Sequence, residues 1–169
     1  MSGADRASGP GPSLGPAPGP DRGPGVRVPP PVLVGLLVGI GWLLHGAVPV
    51  PVSTPVPNLA ALVMALGMAL SVWTVVTMVR AGTDPRPDKP DAALLERGPF
   101  RFSRNPIYLG FLAVAAGFAL HWGDLWPWLA LVACFLVLDR HVVAREERYL
   151  RARFGAPYAA YLGRVRRWI

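Results

Sequence analysis

The sequence has little of what disulfides, metal sites and soluble surfaces require. Its single cysteine, Cys134, lies in an apolar run, so neither a disulfide nor a thiolate metal site can form within the chain. The histidines His45, His121 and His141 stand singly and show no metal-ligand spacing. Charged residues make up only 16% of the 169 residues and apolar ones 52%, whereas a soluble domain carries about 25% charge. We therefore expect no metal site and no ordinary soluble globule.

The first 31 residues have almost no large apolar side chains. They contain nine prolines and seven glycines, and such a segment cannot bury enough apolar surface to offset the entropy lost on folding. We predict a disordered tail over residues 1–31 and one domain over residues 32–169. A secretory signal peptide with residues 32–44 as its apolar region is the alternative. The long proline- and glycine-rich leader and the lack of a small-x-small cleavage site disfavour it.

Beyond the tail, four apolar runs predict membrane helices. They contain 17, 21, 16 and 14 residues and cover residues 32–48, 59–79, 107–122 and 125–138. Only the second comfortably spans a hydrocarbon core of ~30 Å at ~1.5 Å per residue. The last two are separated only by Gly123 and Asp124, so they predict a helical hairpin in which Asp124 is the N-cap.

The lysines and arginines fall on one side of these runs. Of 17 in total, three lie in the tail, six between residues 80 and 104 and eight between residues 140 and 167, while the loops 49–58 and 123–124 contain none. The positive-inside rule then places both termini in the cytoplasm. The +7 net charge would face lipid headgroups, which also suit the basic, aromatic C-terminus, so a nucleic-acid partner is disfavoured. We predict an all-α integral membrane bundle of four transmembrane helices with a cytoplasmic C-terminal helix.

Two stretches at the inner ends of these helices carry the candidate functional residues. The loop over residues 80–106 is too long and too rich in proline for a simple connector, and irregular backbone at a membrane boundary is typical of a ligand site. On a predicted helix over residues 139–154, Glu146 has only apolar neighbours one turn away, so its carboxylate needs a partner from elsewhere. Glu147 has Arg151 one turn on, which makes a surface ion pair the alternative to a functional role.

The polar residues that lead into the third run also have two interpretations. The arginines of residues 97–104 can be flank charges that face headgroups, and Tyr108 can be an interfacial aromatic. The sharper hypothesis places Asn105, Pro106 and Tyr108 against Glu146 at one membrane depth. Both groups lie at the inner ends of adjacent predicted spans, so we expect them to be close.

Two motifs in these stretches resemble the signature of a known family. Residues 98–110 read GPFRFSRNPIYLG and resemble the Gly-Pro-Tyr-x-x-x-Arg-His-Pro-x-Tyr-x-Gly signature of the isoprenylcysteine carboxyl methyltransferase family, which is related to the phospholipid N-methyltransferases. Residues 146–169 begin with EERYL and end with RWI, similar to the family's closing Glu-Glu-x-x-Leu…Phe-Gly…Tyr…Tyr…Arg-Trp-Ile pattern. The resemblance covers residues 60–169 and keeps both motifs in the family's order.

The resemblance implies methyl transfer from S-adenosyl-L-methionine to a lipophilic small molecule or lipid in the membrane. It implies that the cofactor contacts Leu94, Leu95, Phe100, Asn105, Pro106, Ile107, Tyr108 and Glu146. A carboxylate and aromatic faces suit a cofactor that carries a sulfonium and an ammonium group. For the catalytic site we single out Glu147 and Arg104. Displacement at a methyl group depends on positioning more than on acid–base chemistry.

Two positions depart from the family pattern. Asn105 stands where the family has histidine, and asparagine keeps a donor and an acceptor but cannot take up a proton. Val142 stands where the carboxyl methyltransferases hold the substrate carboxylate with an arginine, and neither Arg140 nor Arg145 lies on the same helix face. Three alternatives therefore stay open: a prenylcysteine-like carboxyl acceptor, a phospholipid amine acceptor, or a non-catalytic membrane interaction protein.

Overall fold

The computed structural model describes residues 28–84 and 93–169, and the elements within them are helical. The first four helices are α1 (Pro30–Ala47), α2 (Pro57–Arg80), α3 (Pro106–Trp122) and α4 (Leu125–Val137). A 3₁₀ turn (Gly98–Arg101) precedes α3, and a π-helical turn (Leu138–Val143) joins α4 to α5 (Ala144–Phe154) and then α6 (Ala156–Arg164). The predicted all-α architecture is confirmed.

Proline begins most of these helices. It occupies one of the first two positions of α1, α2, α3 and α6, where its fixed φ suits the helix and its missing N–H has no partner to lose. The first helix begins at Pro30, two residues before the predicted run. The rest of the predicted tail, residues 1–27, lies outside the described residues, so the division into tail and domain stays a prediction.

Three helical stretches are long and apolar enough to cross a membrane. They are Pro30–Ala47, Pro57–Arg80 and Leu125–Phe154, and the third runs without a break through the π-helical turn into α5. The remaining apolar helix, α3, has 17 residues, so the predicted set of four spans corresponds to three full-length candidates and one shorter helix. The placement of both termini in the cytoplasm stays a prediction.

The shorter helix α3 contacts the other three apolar helices. It packs against α2, α4 and α1, and α1 packs mainly on α4. Glycines allow the closest approach between α2 and α3, because a Cβ on Gly110 would lie 2.6 Å from the carbonyl oxygen of Gly67. Nearer α4, the buried residues form one core cluster: Val34, Tyr108, Cys134, Leu138, Val142 and Val143. The end of α3 that carries Tyr108, which we call the inner end without reference to the membrane side, is therefore fixed on two sides; the end near Gly123 is called the outer end.

The turn between α3 and α4 is closed by Asp124, as predicted. Its carboxylate accepts hydrogen bonds from the amides of Trp126 at 3.2 Å and Val50 at 2.6 Å, and it lies 3.4 Å from Nδ1 of His45. The amides of residues 52 and 53 donate to the carbonyl of Gly123. This outer end is held largely by backbone groups. The predicted site residues lie at the other end of α3.

Asp124 makes the stability of the outer turn dependent on pH. Burial alone would raise its pKa, but the hydrogen bonds from the Trp126 and Val50 amides and the nearby His45 outweigh burial, so the pKa is lowered from 3.8. A carboxyl with a lowered folded-state pKa stabilises the fold above its unfolded pKa, and this contribution is lost as the pH falls through the folded value.

We expect Asp124→Asn to lower the thermal midpoint of the detergent-solubilised protein near neutral pH. The difference in thermal midpoint from wild type should shrink once the pH falls below 3.8, because the unfolded wild-type chain then takes up a proton at this carboxyl, and it should be smallest below the lowered folded-state pKa, where the folded carboxyl is protonated too. Thermal unfolding across a pH series measures it, with Glu96→Gln as the control at an exposed ion pair. A difference in thermal midpoint that stays constant down to about pH 2 would contradict a stabilising role for the ionised Asp124 carboxylate.

Candidate functional site

The inner ends of α3 and α5 meet through one side-chain pair. The phenol of Tyr108, on the first turn of α3, donates a hydrogen bond to Oε1 of Glu146, on the first turn of α5. Tyr108 is buried in the core cluster, whereas Glu146 is half-buried. The predicted contact between Tyr108 and Glu146 is confirmed, and it gives Glu146 a partner from another helix.

A π-helical turn sets the direction in which α5 presents its carboxylates. The sequence predicts an uninterrupted helix over residues 139–154, but Leu138–Val143 is π-helical and α5 begins only at Ala144. A π-helical turn carries more residues than an α-turn, and such turns are frequent at functional sites. Val142 and Val143 on this turn are buried, and Glu147, further along, is turned inward.

Glu147 lies in a network of arginines that are distant in sequence. Its two carboxylate oxygens accept hydrogen bonds from Nη2 and Nε of Arg167 at 2.7 and 3.1 Å, and Nη2 of Arg104 lies 3.3 Å from Oε1. Glu147 is only 6% exposed. The alternative of a surface ion pair with Arg151 is therefore wrong, because α5 turns Glu147 inward and leaves Arg151 exposed.

The C-terminal segment after α6 lies against the π-helical turn. Oδ1 of Asp139 accepts hydrogen bonds from Nη1 of Arg167 at 3.2 Å and from Nε1 of Trp168 at 3.0 Å. The Trp168 side chain packs against the core cluster. The hydrogen bond to Glu147 raises the pKa of Arg167, desolvation opposes it, and the charge of Asp139 adds to the rise. The C-terminus was expected to suit the headgroup layer, but these two side chains point into the protein.

Asn105 and Ser103 bind the backbone of the same segment. Nδ2 of Asn105 donates to the carbonyl of Arg167 at 2.8 Å, and Oγ of Ser103 donates to the same oxygen at 3.3 Å. The amide of Arg104 donates to the carbonyl of Arg166 at 3.1 Å. Asn105 is 6% exposed, and its side-chain donor is engaged with the chain's own C-terminus. A cofactor contact by Asn105 stays a prediction; its amide nitrogen has two N–H groups, and the bond to Arg167 uses one of them.

The remaining predicted cofactor residues precede or begin α3. Leu95 is buried, and Leu94 and Phe100 are half-buried. The carbonyl of Phe100 accepts a hydrogen bond from the Tyr161 hydroxyl at 2.8 Å, so α6 covers the 3₁₀ turn. The polar contacts that join the two motifs do not involve Leu94 or Leu95, and their assignment to a cofactor stays a prediction.

Pro106, Ile107 and Arg104 complete the predicted set. Pro106 is buried at the start of α3, and Ile107 packs against the core cluster. Nε of Arg104 is buried and has no hydrogen-bond partner among the described residues. This buried donor therefore has capacity left for an anionic ligand.

Several residues around this site carry roles that the sequence does not reveal. Burial, with the charge of Glu147 adding to it, raises the pKa of Tyr158 to about 12, so its phenol stays neutral at physiological pH. Asp139, Ser103 and Arg167 also contribute, and all join segments far apart in sequence. Arg167 and Tyr158 belong to the closing motif, which marks them as notable but does not name their partners.

A comparison with known proteins identifies the family of this chain. Residues 57–157 match the phospholipid methyltransferase family. The chain belongs to this family. The match extends from α2 to the first residues of α6 and includes both Tyr108 and Glu146. The protein therefore contains a membrane methyltransferase domain of a family that uses S-adenosyl-L-methionine.

Other comparisons add little about the reaction. An uncharacterised protein of Haemophilus influenzae (strain ATCC 51907 / DSM 11121 / KW20 / Rd) is 36% identical over 63 residues, which are 37% of this chain and 100% of that protein. No solved structure matches the chain.

We expect Glu147→Ala to lower the free energy of unfolding by about 2 kcal/mol, because it leaves Arg104 and Arg167 close together without their shared anion. A fully buried pair would lose more, but the Arg167 side chain is 36% exposed. Equilibrium unfolding in mixed micelles measures the loss, reported by labelling of the buried thiol of Cys134.

The matched control is Glu96→Ala, which removes an exposed ion pair with Arg164 at 2.7 Å. Its cost should stay below about 1 kcal/mol, because solvent screens exposed pairs. Equal losses for the two variants would contradict a special position for Glu147.

Proposed function

We propose that this protein is a methyltransferase that uses S-adenosyl-L-methionine and acts on a lipophilic acceptor at the cytoplasmic membrane face, similar to the isoprenylcysteine carboxyl methyltransferases. The observation that carries the proposal is the hydrogen bond between Tyr108 and Glu146. It joins the two separate motifs of the resemblance, which come from different helices. Membership of the phospholipid methyltransferase family supports the reaction class.

The residues at this place fit the charges of the cofactor. The half-buried carboxylate of Glu146 offers a charge-assisted hydrogen bond to an ammonium group and attraction to a sulfonium. Tyr108 and Phe100 offer aromatic faces, which attract cations. The buried Nε of Arg104 is a spare donor for a carboxylate. Donors, acceptor and aromatic faces are thus all present for a ligand of mixed charge.

The proposed work of the chain is positioning. When bound, S-adenosyl-L-methionine would supply a methyl group on a sulfonium; an electron-rich acceptor atom would bond to that methyl carbon while its bond to sulfur breaks, and the sulfur would leave as a neutral thioether. Tyr108 holds Glu146 in one orientation, and reaching the correct geometry accounts for most of the rate of such a displacement. Glu147 is already bound by two arginines, so its proposed contribution to catalysis is to hold Arg104 in place rather than to transfer a proton.

Titration calorimetry on the detergent-purified protein tests the proposal. We expect wild type to bind S-adenosyl-L-methionine and Glu146→Ala to bind it at least about tenfold more weakly, since a charge-assisted hydrogen bond contributes roughly 1.5–3 kcal/mol. The control is Glu96→Ala, whose carboxylate pairs with Arg164.

The outcomes separate the alternatives. No heat from folded wild-type protein would favour the non-catalytic membrane interaction protein. Unchanged affinity in Glu146→Ala would remove Glu146 from the binding site.

A phospholipid amine is the second candidate acceptor, and one position favours it. Val142 is 3% exposed within the apolar core cluster, where the carboxyl methyltransferases place a substrate-binding arginine. Arg140 and Arg145 are exposed. The chain thus offers no cation at the position that would hold an acceptor carboxylate.

The stability of the product to alkali distinguishes the two acceptors. Incubation of the enzyme with methyl-labelled donor and a lipid extract yields labelled lipid, which is then treated with mild alkali. Methyl esters release labelled methanol, whereas N-methyl groups do not. Because Val142 replaces the arginine, we expect the label to resist alkali, in which case the similarity to the carboxyl methyltransferases concerns the cofactor site and not the acceptor. Release of the label would identify a carboxyl acceptor.

A further inference from the structure

We propose that residues 165–169 act as a C-terminal clamp, with Arg167 as a positioning residue for the Tyr108–Glu146 pair. The clamp fixes the position of the start of α3 relative to the start of α5. It lies beyond residue 157, where the match to the phospholipid methyltransferase family ends. The inference deepens the proposed function, and only its cofactor-binding test rests on that function.

Arg167 alone connects three elements. Its carbonyl accepts hydrogen bonds from Asn105 and Ser103 at the start of α3. Its guanidinium binds Glu147 of α5 through two nitrogens and Asp139 of the π-helical turn through the third. A planar guanidinium can bridge two carboxylates in this way, whereas a lysine ammonium acts as a single point charge.

The positions of these contacts explain the effect on the site. Asn105 is the N-cap of α3, and Tyr108 follows on its first turn. Glu147 is the direct neighbour of Glu146 on α5. The clamp therefore binds each helix within three residues of the side chain that enters the pair. A displacement of ~1 Å at such a site can reduce activity about a hundredfold.

The carboxylates around Arg167 need a cation, and the clamp supplies it. Asp139 and Glu147 both face Arg167, and without it the two carboxylates lose their shared cation. Arg104 remains on Glu147, but it belongs to the segment that the clamp is holding. Without Arg167, Glu147 keeps Arg104 and Asp139 keeps the Trp168 indole. Removing one partner of a buried ion pair is destabilising, so loss of Arg167 should loosen the contact between α5 and the loop before α3.

Trp168 anchors the clamp independently of Arg167. Its indole donates to Asp139, and its ring packs on Phe135 of α4 with centroids 5.3 Å apart. An Arg167 variant therefore keeps an anchored chain end, and its effects can be assigned to the lost guanidinium.

Hydrogen exchange read by mass spectrometry on the full chain in detergent tests the clamp. The variants are Arg167→Gln and Arg167→Lys, and Arg166→Gln is the control, because the Arg166 side chain is exposed and reaches only the carbonyl of Ile169 at 3.5 Å. Arg167→Gln should speed exchange at least about tenfold in peptides 103–109 and 144–150 while leaving α2 unchanged. Arg167→Lys should lie between it and wild type, and the control should match wild type.

Calorimetry with S-adenosyl-L-methionine then asks whether the loosened pair affects binding. We expect Arg167→Gln to weaken binding roughly ten- to a hundredfold, with partial recovery in Arg167→Lys. Faster exchange in α2 as well, exchange equal to that of the Arg166 control, or full affinity despite local loosening would each overturn the positioning role.

Two further outcomes are decided in advance. If Arg167→Gln does not fold, Arg167→Lys takes its place with the same criteria, and wild-type behaviour of that variant overturns the proposal. If wild type binds no S-adenosyl-L-methionine, the proposed function fails, and the exchange pattern still decides whether the clamp exists.

Discussion

The inner end of this protein depends on the need to neutralise buried carboxylate charge. Glu147 is almost fully removed from solvent, and a buried carboxylate must be paired and hydrogen-bonded to be tolerated there. Its arginine partners come from the loop before α3 and from the chain end. The path of the last residues follows from this need. Gly155, at φ 55° and ψ −124°, supplies the backbone conformation that glycine adopts readily and lets α6 turn the chain back towards the site.

The two ends of the bundle solve the same connection problem differently. At the outer end a single carboxylate, that of Asp124, caps α4 and binds the neighbouring loop. Backbone hydrogen bonds and a bond from the Trp126 indole to the Val48 carbonyl at 2.6 Å complete the connection. At the inner end, side chains and backbone groups from four segments bind each other, and the contacts include ion pairs. Such a polar network is strong when each member is satisfied. Nε of Arg104 is the exception among the described members, since it is buried without a hydrogen-bond partner, and this spare donor supports the proposed ligand site.

Packing between helices makes this network precise. The contact of Gly67 with Gly110 brings α2 and α3 so close that no side chain fits between them. Tyr108 lies two residues before Gly110 and is packed in the core cluster on the α4 side. The phenol is thereby aimed by rigid helices, and rigid elements position functional groups better than loops do.

Much of the fold follows from the sequence, because apolar runs and prolines act locally. They predict the helices, and the short Gly123–Asp124 connection predicts the hairpin and its cap. The contact of Tyr108 with Glu146 also follows, since both lie at the same end of neighbouring helices. The π-helical turn does not, because one wider turn hardly changes a periodicity pattern. The local rule that paired Glu147 with Arg151 failed for another reason: it considers only neighbours on the same helix, whereas the partners of Glu147 come from other segments.

The sequence also did not predict which residues distant in the chain form hydrogen bonds and ion pairs with each other. Nothing local connects Arg167 to Asn105, which are separated by 62 residues, and a basic C-terminus has an ordinary explanation at a membrane surface. The closing motif includes Arg167 and Trp168 but does not indicate whether their side chains point into the protein or towards the membrane surface. Their inward orientation follows only from the folded arrangement, in which Asp139 and Glu147 offer charges that need a cation.

We propose that the proline-bounded start of α3 and the acidic start of α5 form one binding site for the methyl donor. Ultraviolet cross-linking of labelled S-adenosyl-L-methionine to the purified protein, followed by peptide mapping, would show which residues lie next to the donor. We expect label on peptides from residues 94–108 and from residues 144–150, and its loss with excess unlabelled donor. Label confined to other helices, or label that excess donor does not remove, would show that these two helix starts do not form the site.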